Sequence, residues 1–277
     1  MRGTNGLKTA GKTVLEVKMA ERTLKRSYSD VDDADIALLK SEKRKYVTFS
    51  FDDGVTQDKK LVKLLDTYGA KCTFNVNFGL LGTGGRVPCY GKMIDHIKVT
   101  ADDVKNGLYK DHELAAHGFT HAYLPQITLE QVTEEFTKDV AEMERLTGEK
   151  PLGCAYPCGL DPKFGEIAEH LKNTTCIKYG RTINSTYGFG APENFMLWHP
   201  TILHFDGALF DVCDRFIASR PEQEDKDLFF YVWGHAYEFD AVPDAYENDE
   251  RLLERLAKED DVIFVTNRVI FKLLGGR

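Results

Sequence analysis

Short apolar segments alternate with amphipathic segments along most of this chain, and that alternation constrains the fold more than any other feature. The predicted strands are residues 46–51, 71–78, 113–116, 153–156, 175–179, 201–205, 228–233 and 262–266. The predicted helices are residues 56–68, 128–148, 164–171, 208–219, 246–258 and 267–274, and the glycine-rich residues 79–91 are predicted to be a loop. Strands that alternate with helices pair in parallel, so the pattern predicts about seven βα units in one α/β domain.

The residues before Lys45 differ from this pattern because they are polar and show no sustained periodicity. We expect residues 1–44 to be a partly ordered extension, with a helix around 31–42, ahead of a single domain over 45–277. The extension lacks the apolar core of a signal peptide, and nothing in the sequence resembles a membrane span. The sequence as given therefore predicts an intracellular protein, although a secreted protein whose leader had been removed would look the same.

Charge and cysteine content exclude several classes of function. The net charge is −8, and the basic residues do not cluster beyond residues 40–45, so nucleic acid is not an expected partner. The six cysteines are too scattered for a disulfide framework. Cys154 and Cys158 are better explained as core and backbone positions than as a redox or zinc pair.

Two short segments place metal-binding residue types after predicted strands. Residues 50–54, Ser-Phe-Asp-Asp-Gly, close the first strand, and residues 117–121, His-Gly-Phe-Thr-His, follow the strand at 113–116. An isolated Asp-Asp-Gly is most often a turn, and an isolated His-x3-His is usually a solvated helix face. Together, however, the segments would meet at one rim of a parallel sheet, and two histidines with one carboxylate leave metal positions open for water. The combination predicts a metal hydrolase.

These segments resemble the first two motifs of the polysaccharide deacetylases, also called carbohydrate esterase family four, with its NodB homology domain. That family has Thr-Phe-Asp-Asp-Gly and His-Ser/Thr-x-x-His, so Gly118 stands here where the family has a hydroxyl residue. His112 and Glu113 resemble the His-Glu-Ile strand that commonly precedes the second motif. The resemblance extends over residues 45–274 and implies a distorted (β/α)7 TIM-like barrel.

The resemblance also implies roles for these residues. Asp52 would be the general base, and Asp53, His117 and His121 would bind one divalent ion. Zn²⁺ is the expected ion, with Co²⁺ or Ni²⁺ as alternatives.

The third motif of the family, Arg-x-Pro-Tyr/Phe, is altered in this chain. The matching residues 155–159 are Ala-Tyr-Pro-Cys-Gly, so Ala155 stands in place of the arginine and Cys158 in place of the aromatic residue. The resemblance implies that the backbone N–H of Cys158 binds the oxyanion, a role that needs no particular side chain. The arginine would have to come from elsewhere. Arg181 is the candidate, the alternative being that it is an ordinary surface cation.

The fifth motif is matched by the apolar strand that ends at His235, which the resemblance implies is the general acid. A histidine suits that role because its ordinary pKa lies near neutrality. The fourth motif, an aspartate and a tryptophan that tune this histidine, is not clearly present, and Asp206 and Trp198 are the nearest candidates. For His199 and His204 the sequence leaves open a structural role or a place in a substrate groove.

The resemblance implies a metal-dependent hydrolase that removes acetyl groups from an N-acetylated or O-acetylated oligosaccharide or polysaccharide. One alternative is a carbohydrate-binding protein that kept the fold and lost the chemistry, against which the complete Asp, His, His and His set argues. Another is a metal amidohydrolase acting on a small cyclic amide or imide, against which the intact aspartates argue. The sequence does not predict the oligomeric state.

Overall fold

The computed structural model describes residues 33–40, 44–159, 163–221 and 226–276. The strands are β1 Lys45–Asp52, β2 Cys72–Val76, β3 Gly84–Cys89, β4 Lys92–Ile97, β5 Glu113–Ala116, β6 Gly153–Ala155, β7 Tyr179–Arg181, β8 Ile202–Leu203, β9 Leu228–His235 and β10 Val262–Phe264. The helices are α1 Asp33–Leu39, α2 Asp58–Thr67, α3 Ala101–Lys105, α4 Leu129–Thr147, α5 Phe164–Thr174, α6 Leu209–Ala218, α7 Ala245–Ala257 and α8 Asn267–Leu273.

Parallel pairing joins the strands in the order β7-β6-β5-β2-β1-β9-β8, with β10 beside β1. The two ends of this order meet in one short segment. The Trp198 N–H donates to the Gly180 carbonyl of β7, and its carbonyl accepts from Thr182 just after that strand. A few residues later, the N–H groups of Thr201 and His204 donate to the backbone of β9. The segment thus closes the sheet into a distorted (β/α)7 barrel, which confirms the predicted fold class.

The ends of helix α4 illustrate how local sequence sets an element. Thr128 and Gln131 form a reciprocal capping box at its N-terminus, and Gly148 ends it with a left-handed φ of 79°. Its inward face buries Val132, Phe136 and Met143 against the sheet. The predicted helix at 128–148 is confirmed.

Two predicted elements are wrong. Residues 79–91 are not simply a loop, because β3 pairs with β4 in an antiparallel hairpin outside the barrel. Tyr90 and Gly91 join the two strands, both with positive φ, the requirement of a tight two-residue hairpin turn. The strand predicted at 175–179 begins only at Tyr179, because the Thr175 hydroxyl accepts a hydrogen bond from the Ile177 N–H and forms a local turn.

Inside the barrel, several polar side chains lie below the carboxyl ends of the strands. Asn267, the first residue of α8, donates to Tyr231 and accepts from Thr48, while Glu113 accepts from Thr73. All of these groups are buried. Buried polar groups are stable only when they are hydrogen-bonded, and these groups satisfy one another. The network fills this part of the barrel and leaves the carboxyl ends of the strands free for other side chains.

The N-terminal residues 1–32 of the predicted extension lie outside the described residues. Helix α1 lies within the predicted helical range, and its Ile36 and Leu39 are buried beside α8. Among the described residues, no helix has the length and apolar content needed to cross a bilayer.

Candidate active site

Two consecutive carboxylates lie where β1 ends, and the backbone directs them to different partners. Asp52 is the last strand residue, and its neighbour across the sheet is His235 of β9. Asp53 has a left-handed φ of 81°, so the chain turns sharply out of the strand, while its N–H still donates to the Asn75 carbonyl at 2.9 Å. A non-glycine residue at positive φ is uncommon and strained, which marks this turn as a candidate functional site.

Asp53, His117 and His121 form a compact group of possible metal ligands. One donor atom from each lies within 4.8 Å of the others. Asp53 Oδ1 is 3.9 Å from His117 Nε2 and 3.5 Å from His121 Nε2. One carboxylate with two imidazoles is a donor set suited to a divalent ion with open positions, so the residues present fit such an ion.

Both histidines of this group are held in the neutral form that a metal ligand requires. Burial lowers the pKa of His117 to about 4 and also lowers the pKa of His121. His117 Nδ1 lies 2.9 Å from the Ala155 carbonyl. Because a carbonyl only accepts, Nδ1 carries the proton and the lone pair of Nε2 faces Asp53.

The hairpin strand β4 and the residue after it contact the other side of Asp53. His96 Nε2 lies 3.1 Å from Asp53 Oδ2, and Lys98 Nζ lies 3.1 Å from Asp53 Oδ1. Burial alone would raise the pKa of Asp53, but the His96 hydrogen bond and the Lys98 charge outweigh it and hold the pKa well below its usual range. Asp53 is therefore ionised, and His96 and Lys98 are contacts that the sequence analysis missed.

Asp52 is held by partners from two other strands. Arg181 Nη2 donates to Asp52 Oδ2, and Asn75 Nδ2 donates to Asp52 Oδ1 at 2.8 Å. Arg181 is only 1% exposed, and its guanidinium stacks on Trp233 at 4.6 Å. The structure thus places Arg181 in the site and not on the surface, in spite of Ala155 at the position of the family's arginine.

His235 lies on the opposite side of Asp52 from the metal-ligand candidates. Its Nε2 is 3.9 Å from Asp52 Oδ2, and its Nδ1 is 3.3 Å from Glu238 Oε1. Burial lowers the pKa of His235, but the Glu238 contact and charge outweigh that effect and raise it overall. Unlike His117 and His121, this histidine is favoured in its protonated form.

Glu238 belongs to a longer buried chain of charges. His204 lies 3.1 Å from both Glu238 Oε2 and Asp249 Oδ2. Although burial disfavours the charged form, Asp249 and Glu238 raise the pKa of His204 to about 9. The pKa of Glu238 falls to about 2, since His204 and His235 outweigh its burial.

The candidates proposed for the fourth motif are wrong. Trp198 packs against Tyr179 and Tyr231 at the closure of the barrel, and Asp206 accepts from the Tyr187 hydroxyl. The carboxylate beside His235 is instead Glu238, and the tryptophan beside it is Trp233. The His-x-x-Glu spacing in the sequence could have identified Glu238, because a turn after a strand brings such residues together.

The two remaining histidines differ in their surroundings. His204 is fully buried between two carboxylates, which makes it a structural group. His199 Nδ1 lies within hydrogen-bond distance of the Thr182 hydroxyl beside Arg181.

Two of the departures from the family motifs occur at left-handed backbone. Gly118 has a φ of 74°, a conformation in which a Ser or Thr would be strained. Cys158 has a φ of 59°, and its side chain is exposed. Partial burial raises the pKa of the Cys158 thiol, so this cysteine is not a ready thiolate.

A cavity of about 440 Å³ opens directly over Asp53. One wall is the hairpin from Gly84 to Pro88, and the others include His96, Lys98, His121 and Tyr237. At the turn of the hairpin, the Tyr90 ring contacts the edge of Phe205 at 5.1 Å between ring centroids. A small polar group could therefore reach the carboxylate and histidines from this side.

Fold and site together define an α/β barrel with its polar side chains gathered where the parallel strands end. Residues 40–174 match the family model described as polysaccharide deacetylase. This segment, which contains Asp52, Asp53, His117 and His121, is therefore similar to the polysaccharide deacetylase family. Arg181 and His235 lie beyond the matched residues. No curated protein matches the chain in sequence.

Solved structures share the fold at low sequence identity. A putative polysaccharide deacetylase from Mycobacterium smegmatis aligns with a TM-score of 0.54 and 14% identity, covering 84% of this chain and 91% of that chain. A family 4 acetyl xylan esterase from Clostridium thermocellum, in complex with a cobalt ion, aligns with a TM-score of 0.50 and 17% identity, covering 84% of this chain and 93% of that chain. The Puue allantoinase aligns with a TM-score of 0.61 and 12% identity, covering 84% of this chain and 91% of that chain. Identities this low establish the shared fold alone.

Proposed function

We propose that this chain is a divalent-metal hydrolase that removes acetyl groups from N-acetylated or O-acetylated carbohydrate. The observation that carries the proposal is the arrangement around Asp52. A carboxylate held by Arg181 stands between a neutral histidine group and a histidine favoured in its protonated form. Pairs of titratable groups whose environments push their pKa values apart are typical of acid and base assignments.

Asp53, His117 and His121 would hold the ion, and we expect Zn²⁺, with Co²⁺ or Ni²⁺ as alternatives. When bound, the ion would polarise a water and the acetyl carbonyl. The neutral imidazoles suit this purpose because a protonated imidazole has no lone pair on Nε2 for a ligand bond.

Asp52 would act as the general base. Arg181 occupies its Oδ2 and Asn75 its Oδ1, so the carboxylate cannot rotate freely and is held ready to accept a proton from the attacking water.

His235 would act as the general acid. Glu238 Oε1 lies 3.3 Å from Nδ1 on one side of the ring, and Nε2 is the atom that faces Asp52. From there it would protonate the amine or alcohol that leaves as acetate forms. The Cys158 N–H, which lies at a left-handed turn, is the proposed donor to the oxyanion.

The substrate class can be tested with the Zn²⁺-loaded protein. Acetate release should be measured on acetylated chito-oligosaccharides and on acetylated xylan, and ring opening on a cyclic imide. Acetate release that Asp52→Asn abolishes would support the proposal. Ring opening alone would favour the small-amide alternative, and the absence of all three activities with the ion bound would favour a binding protein.

A further inference from the structure

Lys98 is a buried cation in direct contact with the carboxylate that we assign to the metal. Its side chain is 4% exposed, and its ammonium has three acceptors. These are the Asp53 carbonyl at 2.7 Å, Asp53 Oδ1 at 3.1 Å and Asn77 Oδ1 at 3.0 Å. An ammonium has three donors, so all of them are used within this pocket.

The oxygen that Lys98 contacts is the oxygen that faces the two histidines. His117 and His121 both approach Asp53 Oδ1, whereas His96 approaches Oδ2. A divalent ion held by the two imidazoles would therefore share Oδ1 with the ammonium. Charges this well buried are poorly screened, so one cation opposes the other.

We propose that Lys98 is an internal counter-ion of Asp53, which balances this carboxylate in the metal-free protein and weakens the binding of the divalent ion. The inference rests on the proposed metal site and adds a property that the ligand set alone does not carry. Because the Lys98 ammonium already balances the negative charge of Asp53 in the metal-free protein, a divalent ion stabilises this carboxylate less than it would stabilise a carboxylate without a cationic partner.

A purely supporting role for Lys98 predicts the opposite sign. If the ammonium only held Asp53 in position for the ion, removing it would loosen metal binding, as is usual for outer partners of metal ligands. If Lys98 opposes the ion, removing its charge will tighten binding. The sign of the change in affinity thus decides between the two roles.

The experiment measures Zn²⁺ affinity by competition with a chromophoric chelator at fixed pH. The proteins are the unsubstituted chain, Lys98→Met, Lys98→Gln and the control Lys59→Met, which removes the same charge from an exposed ion pair with Asp103. We expect Lys98→Met and Lys98→Gln to bind Zn²⁺ at least about tenfold more tightly. Lys59→Met should stay within about twofold. Equal or weaker binding in both Lys98 variants would overturn the proposal, whereas no binding by the unsubstituted chain would remove the metal site itself.

Thermal unfolding with and without Zn²⁺ gives a second readout that does not depend on activity. Metal-free Lys98→Met should melt below the unsubstituted protein, because a buried carboxylate loses its partner. Its gain in melting temperature on adding Zn²⁺ should be larger, since tighter ligands stabilise more. A Lys98→Met protein that stays unfolded with Zn²⁺ gives no affinity to compare. In that case Lys98→Gln, which keeps a neutral donor, tests the charge effect again by the same titration.

Discussion

The two sides of the rim around Asp52 use the same residue type for opposite purposes. On one side, His117 contacts a carbonyl, and burial lowers its pKa to about 4. On the other side, His235 contacts the Glu238 carboxylate, which more than offsets burial and raises its pKa. Both rings lie 3.9 Å from the same oxygen of Asp52. The partner of the second ring nitrogen therefore decides which histidine can bind a metal and which can deliver a proton.

The largest expected effect tests whether the neutral side is a metal site at all. His121→Ala removes one of three proposed ligands, so Zn²⁺ content after dialysis should fall from about one per chain to near zero, with activity at background. Metal analysis after dialysis measures this directly. His199→Ala is the matched control, because His199 contacts Thr182 and not the ligand group. Full Zn²⁺ occupancy in His121→Ala would mean that His121 is not a metal ligand, and that the two sides of Asp52 do not differ as proposed.

The next largest effect is expected at Asp52, which lies between the two groups of histidines, and it separates metal binding from catalysis. Asp52→Asn keeps the shape of the side chain but cannot accept a proton at neutral pH, so kcat should fall by about 10²–10⁴. Zn²⁺ content should not change, because Asp52 is not among the proposed ligands. Steady-state kinetics and metal analysis on the same sample make the measurement. Near-normal turnover would show that Asp52 is not the base.

A smaller loss is expected when the base loses its arginine. Arg181→Met should lower kcat by about 10–100-fold, because a buried carboxylate would lose the partner that orients it, while Zn²⁺ content stays constant. The control is Arg215→Met, since Arg215 also stacks on an aromatic ring, Phe189, at 5.6 Å but away from the site. Equal kinetic effects of the two substitutions would mean that Arg181 acts only through packing.

The protonated side can be tested through the pH dependence of the reaction. Glu238 raises the pKa of His235, so Glu238→Gln should lower that pKa. A group needed in its protonated form limits activity at high pH, and the alkaline limb of kcat/KM should therefore move to lower pH. NMR titration of His235 measures the same shift independently. An unchanged alkaline limb together with a shifted His235 pKa would show that His235 is not the acid.

The smallest effect is expected at Cys158, whose proposed contribution is its backbone. Cys158→Ala should leave Zn²⁺ bound and turnover within about tenfold. Iodoacetamide should not abolish activity if the thiol takes no part. Complete loss on both treatments, with the metal retained, would instead indicate a nucleophilic cysteine and a covalent mechanism.

Sequence reasoning reached the residues that local motifs carry and missed those that the fold supplies. Asp52 and Asp53 are adjacent, and the two histidines are four residues apart, so their proximity could be predicted from strand ends alone. Arg181 could be proposed only as one of two alternatives, because its contact with Asp52 spans 129 residues. Glu238, His96 and Lys98 were missed. Glu238 follows a turn, and His96 and Lys98 come from the second strand of the hairpin and the residue after it, for which the sequence predicted no element because only the first strand fell within the predicted loop at 79–91.

Left-handed backbone at Asp53, His121 and Cys158 implies a conflict between durability and chemistry. Each such non-glycine position costs about 1 kcal/mol or more of folding free energy, which glycine would recover. At Asp53 and His121 glycine would delete a proposed ligand, so selection for thermal robustness and selection for turnover oppose each other there. At Cys158 they do not, because the proposed donor is a main-chain N–H. A more thermally stable form of this protein should therefore be sought first with Cys158→Gly, with Asp53 and His121 unchanged.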